Sequence, residues 1–178
     1  MNKAVFIDRD GVINEDLGKY VANPDEFVFL PGAIEALKKL HDSDYKVIVI
    51  TNQGGIGKGV YTEKDLAAIH SKMRKMLEKE GVKLDGVYYC PHHPNEACEC
   101  RKPRLGLINK AIKEHRIDPK RSFFIGDKTS DIKAGKDVGC KTFLVRTGYA
   151  GHDRAYDVEP DFVVSDILEA VNIILTTK

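Results

Sequence analysis

Net charge is almost absent from this sequence: 28 Lys and Arg stand against 27 Asp and Glu, leaving +1 over 178 residues. A nucleic-acid coat or a polybasic membrane anchor needs a charge excess, so neither nucleic acid nor membrane is expected as a partner. Any anionic ligand must be met by local charges. Also missing is a run approaching the ~20 apolar residues of a membrane span. The opening Met1-Asn2-Lys3-Ala4-Val5-Phe6-Ile7 is too short an apolar stretch for a signal peptide and lacks a cleavage-like region, so a cytoplasmic protein is expected. Four cysteines are few for a disulfide framework in a chain this long. Internal repeats, low-complexity tracts and linkers rich in Pro, Gly and Ser are lacking too, so one domain over residues 1–178, as a monomer, is the expectation.

What is present is the composition of a globular protein, 42% apolar and 31% charged. Apolar, β-branched runs recur at Ala4 to Ile7, Val47 to Ile50, Val87 to Tyr89, Phe123 to Ile125, Phe143 to Val145 and Phe162 to Val164. Helical patterns lie between them. Leu66, Ile69, Met73, Met76 and Leu77 form one such stripe, with Thr62 and Asp65 near its N-cap. Pro31-Gly32 and Pro103 are expected to open two further helices, and a last one falls near Asp166 to Leu175. Strands alternating with helices predict an α/β fold: a doubly wound, mainly parallel sheet with helices on both faces.

Ligands of open α/β sheets bind at the carboxyl ends of the strands, and here those ends read Asp8-Arg9-Asp10-Gly11, Thr51-Asn52-Gln53-Gly54 and Gly126-Asp127-Lys128. Asp8 and Asp10 project to the same side if the backbone stays extended. Two carboxylates so close call for a cation or a shared proton, and Asp127 could complete an oxygen shell for Mg²⁺. As a pair alone they could equally be loop-initiating acids, because Asp before Gly is a common turn former. The stretch Asn52 to Gly59 fails the P-loop pattern: Asn52 replaces the first Gly, and Lys58 is followed by Gly59.

Taken together, Asp8-x-Asp10-Gly11, Thr51, Lys102 before a helix, and Gly126-Asp127-x3-Asp131 resemble, in order, the four motifs of the haloacid dehalogenase-like (HAD-like) phosphatase superfamily. The resemblance covers residues 4 to 147. It implies a Rossmann-type sheet, Asp8 as nucleophile and Asp10 as general acid and base. Thr51 and Lys102 would hold the transferring phosphoryl group, and Asp8, the backbone carbonyl of Asp10 and Asp127 would bind a catalytic Mg²⁺. Lys128 is expected on phosphate or against the nucleophile. Asp131 is expected to position Lys128 or a metal-bound water, or to cap the helix through Ala134. Residues 11–50, between the first two motifs, leave no room for a large cap domain.

Cys90-x-His92-x5-Cys98-x-Cys100 offers the ligand set of a closed tetrahedral zinc site in a loop at about residues 90–100. Free thiols or an opportunistic disulfide are the alternatives, and His93 is an alternative donor. Lying just before Arg101-Lys102-Pro103, and joined to the opening Asp8 to Asn14, this loop resembles the branch that holds the heptose-bisphosphate and histidinol-phosphate phosphatases. The zinc of that branch is structural. The resemblance places Arg101 on a remote phosphate of the substrate, with Asp16, Leu17, Gly18 and Lys19, and Thr51, Asn52, Gln53 and Gly54, along a sugar. It implies hydrolysis of the C7 phosphate of a heptose bisphosphate; histidinol phosphate and other small sugar or polyol phosphates are the alternatives. One departure is Leu105, where the branch often carries a second proline.

Overall fold

The computed structural model describes residues 1–177. Six strands form one sheet: β1 (Lys3–Ile7), β2 (Tyr45–Asn52), β3 (Gly86–Cys90), β4 (Phe123–Gly126), β5 (Lys141–Val145) and β6 (Phe162–Val164). Every neighbouring pair is parallel, in the order β3-β2-β1-β4-β5-β6. Parallel pairing demands crossovers, and these are supplied by α1 (Ala33–His41), α2 (Glu63–Lys79), α3 (Gly106–His115) and α4 (Thr129–Val138), with α5 (Ile167–Thr176) following β6. The doubly wound, parallel α/β sheet expected from the sequence is the one observed.

Alternating side chains of the central strands feed two cores. Val5, Ile7, Val47 and Val49 face α1, α2 and α5 through Leu37, Met73 and Val171, while Ala4, Phe6, Ile48 and Ile50 face α3 and α4 through Ile108, Ala111 and Ala134. Burial on both faces explains why these strands read as continuous apolar runs with no polar alternation. Thr62 and Asp65 cap α2 reciprocally, as their spacing predicts, and Asp166 caps α5 by accepting from the Glu169 N–H at 2.9 Å. Two boundaries differ from expectation. Helix α3 begins at Gly106, because residues 101–105 turn around the Cys98–Lys102 loop first. Asp131 is not the N-cap of α4; it sits in the first turn and accepts from the Lys128 N–H at 3.1 Å.

The strand order reverses beside β1: the chain winds out through β2 and β3, then returns to lay β4 on the other side. At such a switch point the loops leave in opposite directions and open a crevice at the carboxyl ends of β1 and β4. Asp8 and Asp127 are the first residues past those two ends. Between β1 and β2 stand only a short 3-10 turn, Pro24–Glu26, and α1, so no cap domain is inserted there. Among the described residues no helix is long and apolar enough to cross a membrane.

Leu37 is fully buried where α1 meets the sheet. Leu37→Ala is predicted to cost about 3 kcal/mol through lost transfer energy and a cavity far from the crevice. Urea denaturation should show a lower midpoint with unchanged slope.

Candidate active site

The crevice is organised around one buried ammonium. Lys102 Nζ lies 2.9 Å from Asp8 Oδ1 and 2.7 Å from Asp131 Oδ1, and it donates to the Ile50 carbonyl at 2.7 Å. Burial works against its charge, but Asp131 and Asp8 outweigh burial and raise its pKa. Burial pushes Asp8 up to about 6 despite Lys102, with Asp131 adding to the rise. Asp127 is also raised well above the usual carboxylate range, by burial and by the charges of Asp8 and Asp131. Its Oδ2 accepts from the Tyr149 N–H at 2.8 Å, while Oδ1 is buried without a partner among the described residues.

Oxygens of Asp8, Asp127 and Asp131 lie within 4.8 Å of one another. Three buried carboxylates around an unpartnered oxygen form a hard donor set that fits a divalent cation. The Asp10 carboxyl is not part of that group; it turns away into a second network.

In that network Arg9, fully buried, grips Asp10 bidentately, with Nη2 2.8 and 3.0 Å from its two oxygens. Asn14 Nδ2 and Gln53 Nε2 donate to the same carboxylate at 2.9 and 2.8 Å. Burial alone would raise the Asp10 pKa, yet Arg9 and these amides hold it below the usual range. Arg9 Nη1 lies 3.1 Å from His70 Nε2. A guanidinium only donates, so the imidazole accepts. Burial and Arg9 push the His70 pKa down to about 3, keeping it neutral. Gln53 also donates to Thr51 Oγ1 at 2.8 Å and accepts from the Tyr61 hydroxyl.

Sequence reasoning assigned no role to Arg9, Asn14, Tyr61 or His70. For His70 a signal existed: it shares the buried stripe of α2 with Leu66, Ile69, Met73 and Leu77. A histidine on that stripe needs a polar partner in the core.

Above these networks lies a cavity of about 540 Å³, lined by Asp8, Asp10, Asp16, Gly18, Lys19, Asn52, Arg101, Lys102 and Lys128, among others. Asn52 clamps the Lys102 backbone at both N–H and carbonyl, at 3.0 and 3.2 Å. Arg101 Nη1 is buried without a partner among the described residues. Four residues expected along the sugar are not among those that line this cavity. Leu17 points to solvent, Thr51 and Gln53 are buried beneath the wall in the Asp10 network, and Gly54 packs against the Arg101 side chain and the His92 carbonyl. Lys19 is drawn toward Glu26, 2.5 Å away.

Cys90, His92, Cys98 and Cys100 converge with one ligand atom each, all within 4.8 Å of one another. Cys90 Sγ is 3.7 Å from Cys98 Sγ, close to the roughly 3.8 Å edge that ~2.3 Å metal–sulfur bonds give in a tetrahedron. At that separation Cys90 and Cys98 are not disulfide-bonded, and all four cysteines are free thiols. His92 Nδ1 faces Cys90 and Cys100 at 3.4 and 3.1 Å, whereas His93 Nδ1 accepts from the Asn95 backbone. The cluster can hold a metal through His92. It is tied to the sheet on one side, where Cys90 pairs with Asn52, and to the following loop on the other. The Gly57 N–H donates to Pro91 O at 2.8 Å, so close that a Cβ on Gly57 would lie 2.1 Å from His93 N.

A buried lysine between two acids and a carboxylate cluster that fits a cation, on a switch-point crevice, suit a HAD-like phosphoric monoester hydrolase, and residues 99–170 match the family model described as HAD-hydrolase-like. The chain is 41% identical to the D-glycero-beta-D-manno-heptose-1,7-bisphosphate 7-phosphatase of Haemophilus influenzae over the whole of both chains. It is 48% identical to the enzyme of that name from Helicobacter pylori strain J99, over 82% of this chain and 84% of the relative. The crystal structure of D,D-heptose 1,7-bisphosphate phosphatase from B. bronchiseptica, complexed with magnesium and phosphate, superposes with a TM-score of 0.91 at 33% identity, covering 97% of this chain and 98% of that one. The chain belongs to the family of D-glycero-D-manno-heptose-1,7-bisphosphate 7-phosphatases.

Gln53→Leu keeps the side-chain size but removes the bond to Asp10 and leaves the Tyr61 hydroxyl unpaired. It is predicted to cost about 2 kcal/mol of stability, from the lost hydrogen bonds and the orphaned partners. Phosphate release should fall about tenfold as Asp10 loses its alignment, a loss expected in kcat more than in KM. Thermal melts and initial rates check both.

Proposed function

We propose that this chain hydrolyses the phosphate at C7 of D-glycero-D-manno-heptose 1,7-bisphosphate and leaves the anomeric phosphate in place. One observation carries the reading: a single cavity holds both the Asp8–Lys102–Asp131 centre and Arg101, whose buried Nη1 has no partner among the described residues. The first end suits the phosphoryl group being transferred. Arg101 suits a second phosphate, since a guanidinium recognises phosphate oxygens in a planar, bidentate fashion.

The Asp8 carboxylate attacks phosphorus, forming an aspartyl-phosphate while the C7 oxygen departs with a proton from Asp10. Asp10 then takes a proton from the water that cleaves this intermediate, so one carboxyl serves both steps. The Arg9 bridge favours ionised Asp10, the form in which it would take a proton in the second step. Asp8, the backbone carbonyl of Asp10 and Asp127 would hold Mg²⁺, which when bound neutralises the phosphoryl oxygens and the crowded carboxylates. Lys102 and Lys128 face the charge that spreads in the transition state. The Thr51 hydroxyl accepts from Gln53 and keeps its own proton for a phosphoryl oxygen.

Cys90, His92, Cys98 and Cys100 would hold a structural zinc. Cys100 directly precedes Arg101 and Lys102, so fixing that loop fixes both cations over the cavity. Thiols reserved for a metal suit a reducing cytoplasm, and one chain supplies every residue of the reaction, so a monomer suffices.

Two experiments test this reading. Phosphate release from zinc-loaded protein with Mg²⁺ should be fastest with the heptose bisphosphate, slower with histidinol phosphate and simple sugar phosphates, and absent in folded Asp8→Asn. Faster turnover of histidinol phosphate would overturn the substrate, and residual turnover by Asp8→Asn the covalent step. Stripping zinc while Mg²⁺ stays saturating should lower turnover several-fold; unchanged kinetics in protein shown to be zinc-free would remove the coupling between the metal loop and the cavity.

A further inference from the structure

The segment between β5 and β6 carries no helix or strand, yet its first half clasps the residues that follow β4. Thr147 Oγ1 donates to the Gly11 carbonyl at 2.7 Å, the Tyr149 N–H to Asp127 Oδ2 at 2.8 Å, and the Gly151 N–H to the Asp127 carbonyl at 2.7 Å. Asp153 then takes both the Thr129 N–H and its hydroxyl, at 2.9 and 2.6 Å, and the Tyr156 N–H returns to Thr129 Oγ1 at 3.2 Å. Gly148 has φ of 61°, and a Cβ there would lie 2.3 Å from Asp127 Oδ2, so only glycine lets the loop approach this closely.

Asp127 and Thr129 are thus held on both sides of Lys128, and Lys128 is met by a side chain of the same loop. Its Nζ lies 4.1 Å from the centroid of the Tyr149 ring, and both residues line the cavity. A lysine ammonium ends a flexible four-carbon stem and loses much rotamer freedom when it acts from one position. An aromatic face attracts a cation and offsets that loss. Tyr149 is 42% exposed, so its ring is not part of the core.

Resting on the phosphoryl-transfer reading above, we propose that Tyr149 is a positioning residue: its ring holds the Lys128 ammonium at the phosphoryl end of the cavity, and the Asp153–Thr129 clasp holds the ring. The rival role for an aromatic ring in this cavity is packing against the sugar. The two roles separate by substrate, because a ring that acts through Lys128 matters to any phosphate ester, and a ring that packs on sugar matters only to the sugar.

The test compares wild type, Tyr149→Phe, Tyr149→Leu, Lys128→Met and the Tyr149→Leu/Lys128→Met double variant. Each is assayed on the heptose bisphosphate, on p-nitrophenyl phosphate and for inhibition by inorganic phosphate, with thermal melts alongside. Tyr149→Leu is expected to lose about tenfold in kcat/KM on both esters, within the range of a cation–π contact, and to weaken inhibition by inorganic phosphate similarly. Tyr149→Phe, which keeps the ring, should restore most of the loss. In the Lys128→Met background, Tyr149→Leu should add nothing. Full additivity in the double variant, or a loss confined to the heptose bisphosphate with phosphate inhibition intact, overturns the assignment. If wild type cleaves p-nitrophenyl phosphate but not the heptose bisphosphate, and the coupling persists, the substrate assignment fails and the role of Tyr149 stands.

Discussion

The Lys102 ammonium touches Asp8 beyond β1, the Ile50 carbonyl within β2 and Asp131 in α4, so three separately encoded parts of the chain meet through one charge. Burying an ion is costly unless it is paired and hydrogen-bonded, and removing one partner of a buried pair typically costs about 3–5 kcal/mol. Whatever places Lys102 therefore places the crevice. Asn52 holds its backbone at two points, and Cys90, paired with Asn52 across β2 and β3, roots the cysteine cluster in the same stretch of sheet. The cysteine loop and the edge of the crevice are mechanically one piece.

Asp8 and Asp10 stand two residues apart in opposite electrostatic states. Asp8 faces other carboxylates in a buried setting that pushes it up to about 6, whereas Asp10 lies in the fork of Arg9 and stays ionised. That contrast suits Asp10 as the base proposed for the second step, while Asp8 needs positive charge beside it to serve as the ionised nucleophile. Around Asp8, three carboxylates oppose the ammoniums of Lys102 and Lys128, and the unpartnered Asp127 oxygen marks where further positive charge would be stabilised. Near-neutrality of the whole chain is thus the sum of local imbalances that the fold brings to one edge.

Much of the fold was legible because its physics is local. Inner strands buried on both faces must be apolar throughout, the edge strands β3 and β6 were marked by their β-branched and aromatic residues although partly exposed, and the Thr62–Asp65 box announced the start of α2. The catalytic edge was legible for a related reason: a parallel sheet delivers the residues after each strand to the same side, so Asp8, Thr51 and Asp127 could be grouped before any contact was known. What escaped were partners distant in the chain. Arg9 meets His70 sixty-one positions away, Gln53 reaches Asp10 across forty-three, and Thr129 finds Asp153 across twenty-four. Gln53, which the resemblance places along the sugar, turns its amide to Asp10 and Thr51.

By itself the sequence determined the element order, the parallel winding and the set of chemical groups, since periodicity and strand-end position follow from local geometry. Only the tertiary structure decided which carboxylate is paired with Arg9, which histidine faces the thiols and which loop clasps Lys128. Those choices depend on the burial and orientation of side chains from distant segments, where a low dielectric turns a contact of about 3 Å into the difference between an acid held ionised and one pushed toward its neutral form.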